Sequence, residues 1–345
     1  MKVLHILQSN RFSGAENVVC QIISMFKADE SVEMVYCSRD GQIREALAER
    51  GVRFVPISEV SVGEIKRVIR EEKPDVIHAH DMCASFFSSL ACGKIPLISH
   101  IHCNAVNVRG ISLKSILYLY AAGRAKHIFW VSRSSKEDYV FSGAVKKKSS
   151  VLYNILDMDA LLEKMATDTS SYDFDLIFLG RLTDVKNPER LIHVMEQLVQ
   201  KRPETQMAIV GTGHLEEMLL ETVKKKKLEN NISFLGFQSN PLRMLHDSKM
   251  MIMTSRFEGT PMCALEAMAL GVPIVSTPTD GLCELVEEGK TGYLCKEDAE
   301  LAKRALEILE SDGLRAKLSA ASVEKSRQLN NMAEYREAIR AAYQK

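Results

Sequence analysis

The 345-residue sequence lacks a charge bias, a long apolar run and any paired-cysteine motif. Lysine plus arginine and aspartate plus glutamate both number 45, so the formal net charge is zero. A general nucleic-acid binder carries a strong basic excess, so no nucleic-acid partner is expected. No apolar stretch approaches the roughly 18 residues of a membrane span. The opening Met1-Lys2-Val3-Leu4-His5-Ile6-Leu7 turns polar too soon for a signal peptide. The eight cysteines are dispersed without Cys-x-x-Cys spacing, which suggests neither a zinc site nor a redox dithiol. Several stand among apolar or small residues, as in Ala91-Cys92 and Met262-Cys263-Ala264, and read as buried free thiols. These absences predict a cytoplasmic, reduced protein, and no cofactor is expected.

What is present is a soluble globular composition, 46% hydrophobic and 26% charged, in a chain long enough for two ordinary domains. Short apolar or β-branched runs at 2–7, 33–37, 53–57, 76–79, 96–101 and 127–131 alternate with helical patterns. A second series follows at 176–180, 207–210, 232–235, 250–253 and 273–276. Alternation of apolar strands with helices predicts an α/β fold of doubly wound parallel sheets covered on both faces. Two sheets of five to seven strands are favoured over one of eleven. A polar stretch at 157–173, containing Thr167-Asp168-Thr169-Ser170-Ser171, marks the expected boundary. The resulting division is 1–160, 161–328 and a terminal helix within 329–345, amphipathic through Tyr335, Ile339 and Tyr343. Ligands of such sheets bind in the loops beyond the carboxyl ends of strands.

The most informative loop is Arg256-Phe257-Glu258-Gly259-Thr260-Pro261-Met262-Cys263-Ala264-Leu265-Glu266-Ala267-Met268-Ala269-Leu270-Gly271. Thr260 suits an N-cap and Pro261 a first helical turn, so a helix is expected to start there. Its unsatisfied backbone N–H groups and dipole favour a phosphate, and Gly259 lets a ligand approach the backbone. Glu266 sits among Ala264, Ala267, Met268 and Ala269, where a carboxylate needs partners such as vicinal sugar hydroxyls. The plainer alternative makes Glu258 a helix cap and Glu266 a solvated face residue. A second loop, Gly180-Arg181-Leu182-Thr183-Asp184-Val185-Lys186-Asn187-Pro188, places two cations at the mouth of a strand, which suits a diphosphate. Ordinary surface charge ahead of a helix at Asn187-Pro188 is the alternative.

Glu-Gly-Thr-Pro-Met-Cys-Ala-Leu-Glu-Ala-Met-Ala-Leu-Gly-Val-Pro-Ile-Val, together with Gly-Arg-Leu…Lys-Asn, closely resembles glycosyltransferase family 4. Gly211-Thr212-Gly213, Phe234-Leu235-Gly236-Phe237, and Gly281 with Glu284 are further matches, and the resemblance is strongest over 176–295. It implies a GT-B fold, two Rossmann-like domains facing across a cleft, and a retaining, metal-independent transferase using a nucleotide-sugar donor, expected to be UDP-linked. The resemblance gives Arg181 and Lys186 the donor diphosphate and the charge developing on the leaving nucleotide. It gives Glu266 the ribose hydroxyls and Glu258 the donor sugar. The amides of Gly259, Thr260, Pro261-Met262 and the glycine Gly211 fall to the donor, and the loop at Phe237 to the nucleobase. Same-face attack as the diphosphate departs requires no side-chain nucleophile.

The N-terminal half matches more loosely. Ser9-Asn10-Arg11-Phe12-Ser13-Gly14-Ala15-Glu16 has a single Gly14 where family members often have two glycines. Gly14 could meet phosphate through its amide or serve only a tight turn. The family commonly carries a donor-contacting histidine at the loop after the run 96–101, where His102 is the better match and His100 falls on the same face. His78 and His80 read as structural. The stretch 110–122, apolar and aromatic, and the basic Lys146-Lys147-Lys148 could form a membrane-surface face for a lipid-linked acceptor, or one core helix and one solvated loop. The acceptor expected from the resemblance is a glycan or lipid-linked sugar of cell-surface polysaccharide synthesis. The alternative function is a non-catalytic GT-B nucleotide-binding partner of another glycosyltransferase. A nicotinamide dehydrogenase is disfavoured because no Gly-x-Gly-x-x-Gly follows the first run.

Overall fold

The structure, a computed structural model, describes residues 1–102 and 106–344. The chain divides into two compact units, Met1–Ile155 with Met332–Lys345, and Leu156–Asn331. In the first unit the strands are β1 (Lys2–Ile6), β2 (Glu33–Arg39), β3 (Phe54–Ile57), β4 (Val76–His80), β5 (Leu97–Ile101), β6 (His127–Trp130) and β7 (Ser149–Val151). They form one parallel sheet in the order β3-β2-β1-β4-β5-β6-β7. The second unit contains β8 (Leu176–Leu179), β9 (Met207–Val210), β10 (Ile232–Phe234), β11 (Met250–Met253), β12 (Ile274–Ser276) and β13 (Gly292–Leu294), ordered β10-β9-β8-β11-β12-β13. Each order reverses beside its first strand, the switch point at which doubly wound sheets open a crevice for ligands.

The apolar runs become strands because parallel sheets are buried on both faces. β8, β9 and β11 are buried at every position, and their side chains join Leu191, Ile192, Met195 and Leu198 of the helix Glu189–Lys201 in one core. In the first unit Leu4, Ile6, Val35, Ile77, Leu97 and Trp130 play the same part. There the sheet departs from the rule in one respect. β4 reads Val-Ile-His-Ala-His and β5 Leu-Ile-Ser-His-Ile, yet both are wholly buried.

Local differences from the sequence reading have physical causes. Two edge strands, β7 and β13, escaped the pattern because Ser149-Ser150-Val151 is polar and Gly292-Tyr293-Leu294 is short. The polar stretch after Ile155 is not a bare linker, since Met158–Ala166 is a helix whose N-cap Asp157 accepts from the Ala160 amide at 3.0 Å. The helix of the glutamate loop starts one residue late, at Met262, with extended Pro261 as N-cap and no side-chain cap. Thr260 is therefore not the capping residue. The closing helix Met332–Gln344 belongs to the first unit: Tyr335, Ile339 and Tyr343 are buried, and Arg336 and Arg340 pair with Asp29. All seven described cysteines are free: Cys92 is buried as expected, Cys263 only partly, and Cys283 is exposed, while Cys103 lies outside the described residues. Among the described residues no helix is long and apolar enough to cross a membrane.

Candidate active site

The loops after β8, β9 and β10 are held by one another's backbones. Gly180 donates to Val210 at 3.0 Å, Leu182 to Thr212 at 3.0 Å, and Gly211 to Gly236 at 2.8 Å. Gly211 adopts φ +134°, and a Cβ there would lie 2.0 Å from the Gly180 carbonyl oxygen. Only glycine permits that approach. Phe237, one residue past this clasp, is 66% exposed, and an apolar ring so placed in a strand-end loop is available for stacking.

The loop after β8 is bound in turn to the loop after β11. Arg256 donates from its amide to Val185 at 2.8 Å and from Nε to the Asp184 carbonyl at 3.0 Å, while Thr254 Oγ1 donates to the Asn187 carbonyl at 2.9 Å. Asn187 holds φ +49°, a left-handed conformation that asparagine tolerates. The result is an ion pair between the two sequence motifs: Lys186 Nζ donates to Glu258 Oε1 at 2.6 Å. Ser255 Oγ donates to the same oxygen at 2.6 Å. The pair is largely buried, with 16% and 9% of the two side chains exposed. Burial alone would lower the Lys186 pKa, but the Glu258 charge reverses this and holds it above the ordinary lysine value. Arg181 is exposed and its charge opposes that of Lys186, so the two cations share one field.

Residues 258–262 are all buried. The amides of Gly259 and Met262 make no hydrogen bond among the described residues, and they head the helix Met262–Ala269. Such amides form a ready acceptor-binding surface. Gly281, in the helix Asp280–Leu285, presses against this loop so closely that a Cβ would lie 1.2 Å from the Gly259 carbonyl oxygen. Glu266 is half-buried, and its carboxylate has no hydrogen bond or ion pair among the described residues. Burial raises its pKa above the usual carboxylate value, with Lys164 partly opposing the shift.

Gly14 and His102 lie in the other unit. Gly14 is exposed and opens the helix Gly14–Phe26 after β1. His102 follows β5, half-buried, its amide donating to Asp81 Oδ1 at 2.9 Å. Sequence reasoning missed Asp81, Ser255 and above all His5. His5, His78, His80, His100 and His102 form one cluster, with His80 Nδ1 2.8 Å from His102 Nε2 and His80 Nε2 3.0 Å from His5 Nδ1. The signal was alternation: two His-x-His pairs on neighbouring strands must share a face. Burial drives all five imidazoles toward the neutral form, His5 to about 3.

Two family models match successive stretches of the chain. One, described as Glycosyltransferase Family 4, covers 12–160, and the other, Glycosyl transferases group 1, covers 163–325. The chain belongs to the family 4 glycosyltransferases. An uncharacterized glycosyltransferase of Methanocaldococcus jannaschii, MJ1059, is 30% identical over 259 residues, which span 67% of this chain and 63% of that protein. The N-acetylgalactosamine-N,N'-diacetylbacillosaminyl-diphospho-undecaprenol 4-alpha-N-acetylgalactosaminyltransferase of Campylobacter jejuni is 29% identical over 188 residues, 53% of this chain and 51% of that one. This glycosyltransferase thus spans less than two thirds of either relative. Its fold matches Anabaena Alr3699/HepE, solved in complex with UDP-glucose, with a TM-score of 0.85 at 22% identity over 99% and 98% of the two chains. That likeness makes the fold of the family 4 chain GT-B.

Proposed function

We propose that the protein transfers a sugar with retention of configuration from a UDP-linked donor, without a metal, to a glycan or lipid-linked acceptor of cell-surface polysaccharide synthesis. The observation that carries this reading is the Lys186–Glu258 pair set beside the unbonded amides of Gly259 and Met262. A diphosphate draws Lys186 and Arg181 to its oxygens, where each charge-assisted hydrogen bond contributes about 1.5–3 kcal/mol. Releasing Lys186 frees Glu258 Oε1 to accept a sugar hydroxyl. Glu266, unpartnered in the free protein, accepts the ribose hydroxyls, and Phe237 stacks on the base. Gly211 lets the nucleotide approach the backbone between β8 and β9, and Thr260 and Pro261 shape the sugar-facing turn. Gly14 and His102 contribute from the N-terminal unit, the first through its amide and the second at the donor sugar. The charge-stabilising groups are thereby fixed before the leaving group departs.

The acceptor class rests on the Campylobacter relative, whose name specifies a diphospho-undecaprenol-linked substrate. A peripheral, cytoplasmic-face membrane contact is supported by the helix Leu113–Arg124, where Leu113, Ile116 and Tyr120 are exposed while Tyr118, Ala121 and Ala122 are buried, and by the exposed Ile111 just before it. Lys146 and Lys147 are exposed nearby in sequence, whereas Lys148 is spent on the carbonyls of Gly123 and Ala125. The deciding experiment is a thermal-shift screen of nucleotides and nucleotide sugars followed by product analysis. UDP and one UDP-sugar should stabilise the protein by mass action. Absence of stabilisation by any nucleotide would sink the donor site; tight binding with no transfer to any acceptor would favour a non-catalytic partner.

A further inference from the structure

The histidine cluster does more than fill the sheet. β4 and β5 pair with His80 opposite His100, and β1 sets His5 opposite His78. Imidazoles are costly there unless each ring nitrogen is satisfied. Yet neither nitrogen of His100, which is fully buried, has a partner, and the same holds for His102 Nδ1. Three ligand nitrogens from His80, His100 and His102 lie within 4.8 Å of one another. The spacing of His80 Nδ1 and His102 Nε2, 2.8 Å, is close to the edge of about 3.3 Å that two nitrogens at about 2.0–2.1 Å from a tetrahedral zinc ion would make.

We propose that His80, His100 and His102 form a site for a divalent first-row transition-metal ion of the zinc class. Three imidazoles with no thiolate or amide ligand suit zinc and its neighbours rather than calcium or magnesium. Ligand orientation is already provided. His80 is turned by its other nitrogen toward His5 Nδ1, and the main chain at His102 is fixed by Asp81. Asp81 holds φ +68°, a left-handed conformation that aspartate tolerates. Its carboxylate also offsets the ion's charge. Of these contacts, the one at His80 engages the non-ligating ring nitrogen, as outer partners of metal-bound histidine usually do. His102 is partly exposed, and three imidazoles would leave the fourth position of a tetrahedral ion for water. His5, His78 and His80 also converge, but all three are sealed in the sheet and His78 Nδ1 is committed to the Tyr343 hydroxyl at 2.8 Å.

The site shares His102 with the proposed donor site but does not rest on the sugar-transfer reading, and it is tested by metal binding rather than by activity. The full chain, stripped with chelator, is titrated with Co²⁺ as a spectroscopic substitute for Zn²⁺, and its melting temperature is followed with Zn²⁺. One equivalent of Co²⁺ should give a tetrahedral visible spectrum that Zn²⁺ abolishes, and Zn²⁺ should raise the melting temperature. His100→Leu, which keeps the packing, and His102→Ala should each lose both responses, while His78→Leu keeps them. Two variants at positions of different burial keep the test open if one misfolds. A wild-type protein that binds neither ion overturns the proposal. So does loss of binding in His78→Leu with retention in His100→Leu, which would move the ion to the other triad.

Discussion

At the scale of single residues the proposed donor site is a set of groups waiting for partners. Lys186 and Glu258 neutralise one another in a place where either alone would be a buried, uncompensated charge. Lys186→Ala is therefore expected to cost about 10²–10³-fold in kcat, the usual loss for one preorganised charge-stabilising donor. It should also destabilise the fold, and the Lys186→Ala/Glu258→Ala double variant should regain about 1–3 kcal/mol in urea denaturation. A double variant no more stable than the single would mean that the pair is not coupled. Glu266 makes the opposite case. Its carboxyl pKa is raised by burial, so the folded state prefers the protonated acid. The stability this gives is complete below the unfolded value near 4.5 and is lost as pH rises through the higher folded value. Glu266→Gln should accordingly leave the free protein as stable or more stable at neutral pH, yet weaken UDP binding, both measurable by thermal shift with and without UDP. Reduced stability with unchanged UDP affinity would assign Glu266 a structural role.

At the scale of elements the glycines decide where loops can go. Gly281 admits the Gly259 carbonyl into space that any Cβ would fill. Gly281→Ala must push the helix Asp280–Leu285 off the sugar-facing turn, costing about 1–3 kcal/mol as overpacking does and loosening donor affinity in the same thermal-shift titration. The same scale explains what the sequence could reveal. Long buried strands such as β9 and β11 were readable because burial on both faces leaves an unbroken apolar run. The motifs around Lys186 and Glu258 were readable as types of residue at strand ends. Their direct bond was not, because it arises from backbone hydrogen bonds between loops 72 positions apart. β7 and β13 went unseen because edge strands need little hydrophobicity. The histidine cluster went unseen as a unit because His5 joins it only through the β1–β4 pairing, which is topology rather than pattern.

At the scale of the whole molecule, zero net charge leaves the surface without a long-range pull toward anionic lipid. The proposed membrane contact would then depend on the apolar side chains Ile111, Leu113 and Ile116. Ile111→Ser/Leu113→Ser should reduce co-sedimentation with lipid vesicles several-fold while leaving UDP binding intact; undiminished co-sedimentation would remove that helix from the membrane contact. The helix Met332–Gln344 adds a different kind of consequence. It brings Ile339 and Tyr343 into the first unit, bonds Tyr343 to His78, and places Arg340 on Asp29. The first unit is thus discontinuous, taking in a helix that follows the whole of the continuous second unit. Domains usually fold in the order they are synthesised. Here the order is inverted: the continuous second unit has its full set of residues before the first does, because Met332–Gln344 must follow it before Ile339 and Tyr343 can fill their places in the first unit.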